Sequence, residues 1–190
     1  MTTVLRHVPN AITLARILAC PLLAWLIVDG QSRPALWLAL AVGASDVLDG
    51  FLARRFNWQS RIGGLLDPVA DKLFLVSAMI ALGIAGALPA WLIVLVVLRD
   101  LVIIAGAFAY HWLVAPLVAA PSIIGKLNTL LQVVLVLTVL ASQALLPVPA
   151  WLLATLIAAV AVLALASGGH YVFSWTARAN AAWRKGRESQ

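Results

Sequence analysis

Charge is scarce in this sequence. Only 11% of its 190 residues are Asp, Glu, Lys or Arg, against roughly a quarter in an ordinary soluble domain. Cysteine occurs once, at Cys20, so no intrachain disulfide can form and zinc sites built on several thiolates are excluded. There is no internal repeat and no low-complexity tract, and the low charge excludes a disordered chain. What fills the space is apolar: 64% of the residues are hydrophobic, more than a soluble fold of this size could bury. The composition implies an integral membrane protein, with room for one membrane domain spanning 1–190.

A bilayer asks for about 20 apolar residues per helix. Six runs meet that length, at about 11–28, 34–53, 69–86, 90–112, 125–145 and 150–173, separated by Asp29-Gly30, Pro89, Pro116, Pro121, Pro147 and Pro149. They are too long for buried strands and lack β-barrel alternation. The expected fold is therefore all-α, with six transmembrane helices. The first run reads as a retained helix and not a cleaved leader, because no small-residue cleavage site stands out.

The formal net charge is +6. In a soluble protein this would point to nucleic acid. Here the basic residues lie between apolar runs and at the C-terminus, so no nucleic-acid partner is expected. With six spans, Arg6, Arg54, Arg55, Arg61, Lys126, Arg178, Arg184, Lys185 and Arg187 fall on one side with both termini, and Arg33 on the other. The positive-inside rule makes the first side cytoplasmic, in the cell (inner) membrane. Trp37, Trp91, Trp112, Trp151 and Trp175 lie near the expected span ends, where interfacial anchors sit. From about residue 174 the chain reads as a basic tail helix lying on the inner leaflet.

The chain has seven acidic residues, and four of them, Asp46, Asp49, Asp67 and Asp71, fall within one stretch of 26. An ionisable group in an apolar segment costs at least ~2.5 kcal/mol near the bilayer centre, so it is expected to face a cavity and to have a function. Asp46 and Asp49 are spaced i, i+3 and Asp67 and Asp71 i, i+4, so each pair shares a helix face. A hairpin of helices 2 and 3 brings the pairs together at the cytoplasmic ends. Four converging carboxylates repel unless cations intervene. All-oxygen ligation favours Mg²⁺, Mn²⁺ or Ca²⁺, and four carboxylates suit two ions, as in sites that displace a phosphorus–oxygen bond in line. Arg54, Arg55 and Arg61 suit phosphate, and Gly50, Gly63 and Gly64 let a bulky ligand approach the backbone.

The run Asp46-Val-Leu-Asp49-Gly50-Phe-Leu-Ala53-Arg54, then Gly63, Asp67 and Asp71, resembles the signature of the CDP-alcohol phosphatidyltransferase family. It matches D-x2-D-G-x2-A-R-x8-G-x3-D-x3-D at all eight fixed positions. The resemblance implies six helices, a homodimer, and an active site at the cytoplasmic ends of helices 2 and 3. It implies that Asp46, Asp49, Asp67 and Asp71 hold two Mg²⁺ or Mn²⁺ ions on the diphosphate of CDP-diacylglycerol. Gly50, Ala53 and Gly63 would give the nucleotide room, and Arg54 would contact phosphate. Asp71 would also be the general base on the acceptor hydroxyl, with CMP leaving. The run Pro9-Asn10-Ala-Ile-Thr13-Leu-Ala-Arg16 resembles the family's entrance to helix 1, which makes Asn10 and Thr13 donor contacts; capping is the other role open to Asn10.

The acceptor is read elsewhere. Arg61, Arg99, Lys126 and Asn128 are the candidates. Arg99, deep in helix 4, must pair or face a polar cavity; Asp100 points about 100° away around the helix, so the two need not pair. Family members that use glycerol 3-phosphate carry G-K-x-K-T where this chain has Gly125-Lys126-Leu127-Asn128-Thr129. The missing second lysine favours a lipid acceptor, phosphatidylglycerol, as in the cardiolipin synthase branch; Ser167-Gly-Gly-His170-Tyr171 points weakly the same way. Glycerol 3-phosphate is the alternative. His170 reads as a helix-end histidine facing headgroups. Two other classes use acid clusters: intramembrane prenyl transfer, which needs aspartate motifs in two distant places, and a divalent-cation transporter or sensor, which needs neither Gly50, Arg54 and Gly63 at fixed spacing nor acids near the surface.

Overall fold

The computed structural model describes residues 8–56, 63–113 and 123–188; at 8–12, 47–56, 63–68, 107, 109–111, 113, 172 and 175–188 the description covers the backbone. Six α-helices follow in order: α1 Val8–Val28, α2 Ser32–Phe56, α3 Gly63–Ile84, α4 Ala90–Leu113, α5 Ile123–Ala144 and α6 Ala150–Glu188. Among the described residues there is no strand.

Each apolar run forms a helix, but three bounds differ from the sequence expectation. α1 is already helical at Val8, so Asn10 lies inside its first turns and not ahead of them. α3 starts at Gly63 instead of 69, so Asp67 is inside the helix with Asp71. The third difference corrects the separate tail helix expected from 174. α6 continues unbroken to Glu188. The residues after Phe173 end the apolar run, yet Ala177, Ala179, Ala181, Ala182, Arg178, Arg184 and Lys185 are good helix formers and propagate the turn already begun. His170 accordingly sits in mid-helix, exposed, and is not at a helix end.

The loops are built by backbone chemistry. α1 ends where Gly30, at φ +78°, donates to Ile27 O at 3.1 Å and Gln31 donates to Leu26 O at 2.9 Å. α3 ends the same way: Gly86, at φ +71°, donates to Gly83 O at 3.0 Å and Ala87 to Leu82 O at 2.8 Å. Both are Schellman caps, which need a left-handed residue that glycine supplies without a Cβ penalty.

The contacts divide the chain into two compact units: Met1–Pro89 with Val133–Leu153, and Ala90–Gln132 with Ala154–Gln190. In the first unit α1 packs on α2 and α3. Its buried stripe is Thr13, Arg16, Leu23, Leu26 and Ile27, the spacing of one helix face. Ala35, Leu36 and Ala39 of α2, and Ala70, Leu75, Ala78, Met79 and Leu82 of α3, supply buried partners. At the other end of this unit, Ser32 Oγ donates to Gln143 Oε1 at 3.2 Å and Arg33 Nε donates to Ala144 O at 3.0 Å, tying α2 to α5. In the second unit the buried face runs through Leu92, Val96 and Asp100 of α4, Asn128 and Gln132 of α5, and Val160, Ala164 and Ser167 of α6.

The outward faces are apolar. Leu14, Leu18, Leu22, Trp25, Trp37, Leu98, Leu101, Ile104, Phe108, Leu130, Trp151, Val162 and Leu165 all stand exposed. Faces this apolar are not those of a water-soluble surface. Among the described residues, 123–144 and 150–171 are long and apolar enough to cross a membrane.

Candidate active site

Two of the four motif aspartates are described with their side chains, and the fold brings them together. Asp46 lies on α2 and Asp71 on α3, and both meet the guanidinium of Arg16 from α1. Arg16 Nη2 reaches Asp46 Oδ1 at 2.7 Å. Arg16 Nη1 donates to Asp71 Oδ1. The arginine side chain is 4% exposed and each carboxylate 46% exposed. The two acids therefore open outward from a cation that lies behind them. Arg16 meets each carboxylate at Oδ1, and both carboxylates are accessible from the exposed side.

Thr13 sits one turn before Arg16 on the same face of α1 and is buried. Cys20, one turn after it, directs its thiol at Arg16 O, 3.4 Å away, and is half-buried. Asp49, Gly50, Ala53 and Arg54 lie in the last turns of α2, and Gly63 and Asp67 in the first turns of α3, so the helix backbones carry the whole motif except the linker. The side chains of those residues and of Asn10, and Arg61 altogether, lie outside the described residues. Among the described residues, no cluster of three or more acidic, histidine or cysteine side chains forms.

The residue set fits a divalent cation. Asp46 and Asp71 come from different helices yet already share one positive group, so the fold overcomes their mutual repulsion by placing a cation between them. Half-exposed carboxylate oxygens with no thiolate or imidazole beside them are the donors that hard cations take.

The second unit holds a different set of polar groups. Arg99 Nη1 donates to Asp100 Oδ1 at 2.9 Å, and Arg99 Nε donates to Ser167 Oγ of α6 at 2.8 Å. The sequence left Arg99 and Asp100 without need of each other; the structure pairs them. Neighbouring side chains on a helix diverge at Cβ, but the arginine stem is long enough to turn its head back across the gap. Ser167 Oγ in turn donates a hydrogen bond to Ala164 O at 3.2 Å.

Arg99, Ile103, Gly125, Lys126, Thr129 and Tyr171 line a cavity of about 380 Å³. Two of these are cations and two carry hydroxyls, so the cavity is suited to an anionic, oxygen-rich group. Lys126 is exposed, whereas Asn128 is fully buried and does not line this cavity. Gln132, one turn on, is equally buried, and among the described residues neither carboxamide has a hydrogen-bond partner at its oxygen or its nitrogen. Buried amides are normally satisfied, which makes this face of α5 a polar surface in want of partners.

From the sequence, Arg16 was quoted without a role, while Thr129 and Tyr171 already stood within the acceptor-side runs. For Arg16 the signal was present: a single charge in an apolar run, at helical spacing from Thr13.

The CDP-alcohol phosphatidyltransferase family model matches residues 6–176. The chain belongs to that family. Members of the family are generally dependent on a divalent cation. A human protein named cardiolipin synthase (CMP-forming) is 33% identical over 151 residues, covering 71% of this chain and 50% of the human one. A Streptomyces coelicolor protein of the same name is 39% identical over 112 residues, 55% of this chain and 52% of that one. A rice chloroplast protein named CDP-diacylglycerol–glycerol-3-phosphate 3-phosphatidyltransferase 1 is 40% identical over 101 residues, 53% of this chain and 31% of that one. The chain thus spans about half the length, or less, of the curated relatives it matches.

Proposed function

We propose that this chain transfers the phosphatidyl group of CDP-diacylglycerol to a hydroxyl of phosphatidylglycerol, forming cardiolipin and releasing CMP. The observation that carries the reading is the meeting of Asp46 and Asp71, the first and last aspartates of the motif, from two helices on one cation. Asp46, Asp49, Asp67 and Asp71 hold two Mg²⁺ or Mn²⁺ ions. The chemistry such ions would supply there is neutralisation of the donor's diphosphate and of the charge developing on CMP.

The chain's own residues do the rest. Asn10, Thr13, Gly50, Ala53 and Gly63 accommodate the nucleotide, and Arg54 pairs with phosphate. Asp71 takes the proton of the acceptor hydroxyl. The freed oxygen attacks the β-phosphorus, and the bond from that phosphorus to the bridging oxygen breaks. That oxygen leaves with CMP. Arg61, Arg99 and Lys126 receive the acceptor, whereas Asn128 is buried and does not line the cavity.

The protein works as a six-span homodimer in the cell (inner) membrane, with its active site and both termini cytoplasmic. The exposed apolar faces and exposed tryptophans support the bilayer setting. A lipid acceptor is supported by the neutral Asn128, which stands where family members that use glycerol 3-phosphate carry a second lysine. The second reading, glycerol 3-phosphate as acceptor, rests on Arg99 and Lys126 lining one cavity. Purified protein in detergent, given CDP-diacylglycerol and phosphatidylglycerol, should release CMP with Mn²⁺ and stop on addition of EDTA. A chain that binds cations but releases no CMP would instead be a transporter or sensor.

A further inference from the structure

We propose that Arg16 is a positioning residue: a rear clamp that holds Asp46 and Asp71 together from the buried side and leaves their exposed side to the divalent cations. This rests on the metal reading given above and adds a residue to it from α1.

Arg16 is the only charged residue in α1, and it lies on the buried stripe of that helix. An arginine in an apolar helix is costly and persists where partners or a function offset it. Its partners are unusual in arrangement. A guanidinium commonly grips one carboxylate with two parallel bonds. Here its two terminal nitrogens go to two carboxylates on two helices, Nη2 to Asp46 and Nη1 to Asp71. The fork therefore cross-links α2 and α3 at the motif's first and last aspartates. Exposure gives the direction: the clamp is 4% exposed and each carboxylate 46% exposed, so cations and substrate reach the acids from the side away from Arg16. Groups that hold a ligand from behind fix its orientation, and losing one typically lowers metal affinity ten- to a hundredfold.

Manganese binding by the full-length chain in detergent, followed by electron paramagnetic resonance without substrate, tests this separately from turnover. Arg16→Met should bind the same number of Mn²⁺ ions as the wild type with Kd raised roughly ten- to a hundredfold. Arg16→Lys keeps the charge but presents one point in place of a fork, so it should hold one carboxylate and give an intermediate Kd. Should the methionine variant fail to fold, the lysine variant carries the test. Folded variants that bind Mn²⁺ as tightly as the wild type would overturn the clamp and leave the metal site standing. A wild-type chain that binds no Mn²⁺ would overturn both.

Discussion

Replacing Asp100 by Asn tests whether the Arg99 cluster is held as described. The pair is nearly out of solvent, with side chains 9% and 11% exposed and a contact of 2.9 Å. Removing one charge from a buried pair strands the other and typically costs about 3–5 kcal/mol. The new amide keeps an oxygen that can accept from Arg99, so a cost of about 2–3 kcal/mol is expected. For a chain of this length that lowers Tm by roughly 4–12 °C, at about 2–4 °C per kcal/mol. The double variant Arg99→Met/Asp100→Leu removes both charges and leaves Ser167 its bond to Ala164 O. It should recover to within about 1 kcal/mol of the wild type, as apolar replacements of buried pairs often do. Thermal unfolding of the purified protein in one detergent measures all three. An Asp100→Asn chain that melts with the wild type, or a double variant less stable than the single, refutes the buried pair.

Three further outcomes are expected. Asp71→Asn should cut turnover by at least ~10²-fold through loss of the base, while CDP-diacylglycerol still binds in an equilibrium assay; full activity would remove Asp71 from the chemistry. Lys126→Ala should raise the acceptor KM more than the donor KM, because its charge lies on the cavity with Arg99; an unchanged acceptor KM would contradict that. Gln132→Leu should raise Tm, since each unpartnered buried polar group costs about 1–3 kcal/mol, and should impair use of the lipid acceptor. A lower Tm would mean that the amide is satisfied.

The helices were legible because their apolar runs are long and their breaks are chemically plain: Gly30 and Gly86 in left-handed turns, and prolines between the later helices. The first turns of α3 were hidden by Gly63, Gly64 and Pro68, which read as linker but are tolerated in opening turns. The extension of α6 was hidden because hydropathy ends at Phe173 whereas helix propensity does not. At the site, the approach of Asp46 to Asp71 was legible from spacing. Their meeting on Arg16 was not, because it joins residues 55 positions apart in sequence. Arg99 to Ser167 spans 68 positions and escaped for the same reason. Local periodicity says which face a residue occupies, and packing decides what stands opposite it.

Activity of this chain is defined by the group it transfers and the acceptor that takes it. The most direct test is mass spectrometry of the lipid product from purified protein given CDP-diacylglycerol, Mn²⁺ or Mg²⁺, and both phosphatidylglycerol and glycerol 3-phosphate in one reaction. Cardiolipin formed in step with CMP, and abolished by EDTA, is the predicted result. Phosphatidylglycerol phosphate as the product would contradict the acceptor assignment and make Arg99 and Lys126 ligands of a phosphomonoester. No lipid product with either acceptor would contradict the proposed activity altogether.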